Sequence, residues 1–134
     1  MSINAYRSTL RQIESPRQIE RRLMASVTGR LEAHAEGFDD AQSSHDRLMI
    51  LSSGLRAALA DNQKLWSALK FDLSDPANLL PDDLRARMIS LALWVEKTTS
   101  LVLGGTAGVR DLVAVNNGIV AALSGEMAAE REPA

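Results

Sequence analysis

The chain has 134 residues, 46% of them hydrophobic, and a formal net charge of −2. One core fits that length and a second hardly does, and so apolar a chain folds rather than staying disordered. With no cysteine, disulfides and thiolate chemistry are excluded, and the near-neutral balance does not call for nucleic acid.

Residues 3–13 place Ile3, Tyr6, Leu10 and Ile13 at helical spacing, which predicts a short helix, marginal alone. Ser15 is a good N-cap, Pro16 suits the first helical position, and Gln18 completes a capping box. Ile19, Leu23, Val27, Leu31 and Ala35 then form a stripe at steps of four, and Gly37 is the expected stop. Residues 1–30 hold Arg7, Arg11, Arg17, Arg21, Arg22 and Arg30 against Glu14 and Glu20, a net of +4 that leaves −6 for the rest. Such a run is usually a solvated helix face; here it also offers electrostatic contact to an acidic partner.

From Asp40 to Leu73 a third segment carries Leu48, Leu51, Leu55, Ala58, Asn62, Leu65 and Leu69 in alternating steps of three and four. That is a heptad seam for side-by-side helix packing. Asn62 is its one polar member, read either as a buried register-fixing residue or as a break between two helices. Ser74 to Asn78 reads as a turn, and Pro81 opens a fourth helix with Asp82 and Asp83 in its first turn. The seam of this helix is Leu84, Met88, Leu91, Val95, Thr98 and Val102. Ile89, Ala92, Leu93 and Trp94 are apolar as well, so the helix is either central or has a second face for a partner. Gly104-Gly105 ends it. Val109, Leu112, Val113, Asn116, Ile119, Val120, Leu123 and Met127 form the last stripe, and residues 126–134 read as a frayed tail. With strand signals absent, the expectation is an all-α, single-domain bundle of about four long amphipathic helices plus a short N-terminal one.

No constellation points to catalysis, a cofactor or a metal. His34 and His45 lack metal-ligand spacing. The adjacent acids Asp39-Asp40 and Asp82-Asp83 point in different directions on a helix and sit at expected helix starts. Gly104 to Gly108 has neither the preceding strand nor the Lys-Ser or Lys-Thr ending of a phosphate loop. An apolar run behind a basic start is missing, and the richest apolar stretch, Met88 to Val95, is too short for a bilayer. A cytoplasmic, non-enzymatic protein without membrane insertion is expected. Trp66 and Trp94 each stand one residue from a seam, as core residues or as the lining of a groove for a partner helix. Leu65, Trp66, Leu69, Leu91, Trp94 and Val95 are therefore the candidate partner-binding residues.

Asn62 to Val95 carries Asn62, Leu65, Trp66, Asp72, Leu73, Pro76, Asn78, Leu80, Pro81, Leu84 and Arg85 in a pattern that resembles the hallmark stretch of the FlaF family. Ala5-Tyr6 with Ser15-Pro16-Arg17 and Glu20 resembles its opening, and Val109 to Leu123 its closing helix; the likeness covers nearly the whole chain. Gly118 departs from it, standing where the family pattern has Arg; it weakens a helix interior unless it allows close helix approach. The resemblance implies a role in flagellum assembly in alphaproteobacteria, with flagellin as the partner and a FlbT-like regulator as a counterpart. On that expectation the protein covers the apolar helical ends of newly made flagellin by helix-in-groove binding and supports synthesis and export. The alternative is post-transcriptional regulation, touching flagellin mRNA or a partner regulator through the Arg-rich N-terminal third. Direct RNA binding is disfavoured, because the arginines lack interleaved aromatics. An exposed seam would also allow homo-oligomers.

Overall fold

Met24, Val27, Leu31, Ala35 and Phe38 follow steps of three and four along α1 (Pro16–Asp39), and all are buried, as is Thr28 beside them. This row differs from the expected stripe: Ile19 and Leu23 are exposed. A strict four-residue step drifts about 40° per step, so a row that starts inside at Leu31 leaves the core within three steps. The computed structural model describes residues 16–131, with side chains from 18 to 125. The expected helix over 3–13, the Ser15 cap, Arg7, Arg11 and the Arg17 side chain lie outside the described residues.

Gly37 does not stop α1, which continues to Asp39. The short α2 (Ser44–Ile50) follows, with the Ser43 hydroxyl capping it by accepting the Asp46 N–H at 3.1 Å. A kinked segment, Leu51–Leu55, with non-helical backbone at Ser53 and Gly54, joins it to α3 (Arg56–Leu73). The third segment, left open in sequence as a continuous seam or as two helices parted at Asn62, is broken at Ser53-Gly54 instead. Gly54 has φ +127°, a backbone conformation that favours glycine, and a Cβ there would stand 3.3 Å from His34 Nε2, a tight contact. After the expected turn, α4 (Asp82–Leu103) begins behind Pro81, and Gly105 at φ +78° turns the chain away from its end. α5 (Arg110–Arg131) runs well past residue 126, so helical backbone occupies much of the expected tail.

α1 lies antiparallel to α5. Arg21 donates to Ser124 near one end, and Asp39 accepts from Val109 at the other. α1 also runs antiparallel to α3, with Arg30 on Asp61 and His34 against Gly54. α3 packs along α4, where Lys70 meets Glu96. α4 and α5 approach each other only sparsely. The described helices therefore form an all-α bundle in the order α5–α1–α3–α4, with an open α4/α5 edge. Its core centres on Phe38, Leu31, Leu55, Leu59, Trp66, Val95, Val102 and Leu112.

The acids Asp39 and Asp40 do not start a helix. They end α1, where negative charge opposes the helix dipole. What offsets this is the start of α5: Asp39 accepts the Val109 N–H at 2.6 Å and the Arg110 N–H at 3.0 Å, and the Arg110 guanidinium grips Asp40 through two 3.2 Å hydrogen bonds. The hydrogen bond to Asp40 holds the Arg110 guanidinium above its ordinary pKa.

Candidate partner-binding surfaces

Two of the six residues singled out from sequence, Trp66 and Val95, are fully buried. Trp66 Nε1 donates to Asn116 Oδ1 at 2.9 Å, and Asn116 Nδ2 donates to Asn62 Oδ1 at 2.8 Å. This polar chain crosses the core from α3 to α5. Asn62 is thus a buried polar residue and not a break, and Trp66 belongs to the bundle's interior rather than to a groove. Asn62 Nδ2 is itself buried without a hydrogen-bond partner. The two Asn interruptions are visible in the sequence; that a tryptophan between them completes the chain is not.

Leu65, Leu69 and Leu91 are half-buried against the core, and Trp94 is 37% exposed. Glu96 marks the side of α4 that faces α3, through its ion pair with Lys70. Trp94 stands two residues earlier, about 200° round the helix, and so faces away from α3 toward the open edge. Leu101, seven residues on from Trp94, lies on the same line and is also exposed, and Leu93 is exposed beside it. On α5, Ser124 faces α1; Val115, nine residues before it, stands about half a turn away and is half-buried with Ile119. Leu91, Trp94 and Leu101 of α4 and Val115 and Ile119 of α5 thus lie on the sides of their helices turned toward that edge.

A second groove, of about 410 Å³, runs between α1 and α3 and is lined by Leu23, Ser26, Val27, Arg30, Asp61, Lys64, Leu65 and Ala68. Only Leu65 of the expected set reaches it. Arg30 donates to Asp61 at 2.7 Å, and that hydrogen bond holds the Asp61 carboxyl below the ordinary carboxylate range. Of the arginines expected to make electrostatic contact, Arg21 and Arg22 are exposed on the first turns of α1.

Sequence reasoning missed the most exposed apolar side chains. Phe71 is 81% and Leu79 97% exposed, at the end of α3 and in the loop before α4. The loop is held by short-range bonds: Asp75 Oδ1 accepts the Ala77 N–H, Asn78 Oδ1 accepts the Leu80 N–H, and Asn78 Nδ2 reaches back to the Asp72 carbonyl. The signal was Leu79-Leu80 standing inside an Asp/Asn/Pro turn, where apolar residues are out of place.

Gly118 is exposed, and a Cβ there would meet nothing within 4 Å, so it serves no close helix approach. Among the described residues no helix is long and apolar enough to cross a membrane. A family model described as flagellar protein FlaF matches residues 2–123. No curated protein and no solved structure matches the chain.

Proposed function

The chain belongs to the flagellar protein FlaF family, and from that premise we propose that it is a non-enzymatic flagellin-binding protein which shields flagellin's terminal helices before export. The observation that carries this reading is the α4 face: a 22-residue helix whose close backbone neighbour among the described helices is α3, and which leaves Trp94 and Leu101 exposed beside the open edge to α5. Exposed apolar residues in a row of that length favour a protein partner over bulk water. The apolar stripe of a flagellin terminal helix matches it in chemistry, as a helix laid into a groove. Trp66 is withdrawn from the contact set, and Trp94 becomes its centre. The contact centres on apolar side chains, with Arg87 and Lys97 at its margin, so a complex held mainly by Trp94 and Leu101 is expected to resist salt.

The test is size-exclusion chromatography of this protein co-expressed with the flagellin of its own organism, repeated at high salt. A salt-resistant joint peak supports the reading. Separate peaks at both salt concentrations remove it. Retention of the flagellin mRNA leader at low salt instead would shift the role to the N-terminal arginines and to direct regulation.

A further inference from the structure

The end of the bundle where α1 begins gathers exposed apolar residues from three helices and a loop. α1 and α3 run antiparallel, Arg30 facing Asp61 and Leu23 facing Ala68, so the first turns of α1 lie level with the last turns of α3. Ile19 and Leu23 of α1, Phe71 of α3, Leu79 of the loop and Leu84 of α4's first turn are all exposed there. The same end carries both signs of charge, in separate places. Residues 72–83 hold Asp72, Asp75, Asp82 and Asp83 and no cation, with Asp82 paired to Arg85 at 3.1 Å just beyond them; the first turns of α1 carry Arg21 and Arg22 against Glu20. The four aspartates, Arg21 and Arg22 are exposed.

We propose that this end is an interface between two copies of the chain, with the Phe71–Leu79 loop of each seated on the first turns of the other's α1. A two-fold contact needs a self-complementary surface, in which one patch meets the other patch of its partner and the reverse. An acidic loop and a basic helix start at the same end meet that requirement: one rotation brings each acidic loop onto each basic turn. The apolar side chains supply the buried centre, and the charges supply orientation at the rim. This proposal is independent of flagellin, whose proposed place is the α4 face.

The experiment measures the mass of the full chain, without flagellin, by sedimentation over a range of concentrations. The expected result is a shift from one copy of 14.5 kDa to two as concentration rises. The paired change Leu79→Asp with Phe71→Ser is expected to raise the dissociation constant at least tenfold. Both side chains are solvent-facing, so the helical circular dichroism stays unchanged. Trp94→Ala leaves the association unchanged, which separates this proposal from the flagellin reading. A charge swap fixes the orientation. Arg21→Glu with Arg22→Glu, and separately Asp82→Lys with Asp83→Lys, each weaken the pairing, and an equimolar mixture of the two variants restores it. A single-copy mass at every concentration, a dimer indifferent to Leu79 and Phe71, or a mixture that fails to recover would each overturn the proposal.

Discussion

Asp39, the last residue of α1, accepts the backbone N–H of Val109 at 2.6 Å across 70 residues of sequence. The carboxylate thereby caps the start of α5 and finds a partner for a charge that its own helix end disfavours. Asp39→Ala should lower the unfolding free energy by about 1–2 kcal/mol, the range for loss of a good cap, measured by urea denaturation. Gly108→Ala should act through the same contact, because its Cβ would stand 2.9 Å from Asp39 Cγ. The double variant should then lose less than the sum of the two. Additive losses would show that the two residues act separately.

Trp66→Ala should cost about 3–5 kcal/mol, as expected for a fully buried large aromatic. Asn116→Ala should cost about 1–3 kcal/mol, because it strands the Trp66 N–H and the Asn62 carbonyl oxygen in the core. Equilibrium unfolding followed by tryptophan fluorescence in the Asn116 variant reads the second. A neutral effect there would mean that the polar chain contributes nothing to stability.

Gly118→Ala should stabilise the protein by up to about 1 kcal/mol, since the position is helical, exposed and open around the missing Cβ. A higher melting temperature is the readout. A fall would reveal a contact at this position that the bundle's geometry does not provide.

Trp94→Ala should leave the fold nearly as stable as before and weaken flagellin binding at least tenfold, about 1.4 kcal/mol. Calorimetric titration with flagellin compares the variant with the parent chain. Unchanged affinity would take the α4 face out of the contact.

The Asp61 carboxyl should titrate below its usual value of 3.8, and Arg30→Gln should move it back up, as read by side-chain NMR. A depressed folded-state pKa means that the stabilisation is present above the unfolded value and disappears as pH falls through the lowered one. The pair is solvent-exposed, so salt should shrink the difference.

The helical class, the last helix's stripe, the Pro81 start and the Gly104-Gly105 end were legible in the sequence because local periodicity and capping decide them. The position of Trp66 was not. A seam drawn through Leu65 and Leu69 sets it one residue aside, whereas the buried row of α3 runs through Ala58, Leu59, Asn62, Trp66 and Leu73, a step of four from Asn62 in place of the seam's three. Gly37 misled for a related reason. A glycine signals a stop only where the chain gains by stopping, and here the gain comes two residues later, when Asp39 reaches α5. Of the candidate site, Leu91 and Trp94 were identified by their places on and beside the fourth helix's seam. The exposure of Phe71 and Leu79 depends on how two helices diverge, which no local pattern records.

The pairing of α1 with α5 also sets an order for synthesis. The first described helix finds its most extensive partner in the last, so the row from Met24 to Phe38, covered on one side by α3, stays open on the other until residues 110–125 have emerged from the exit tunnel. A chain stopped before Val109 would lack both the α5 stripe and the amide that Asp39 holds. Such fragments should be more open to proteases than the closed bundle.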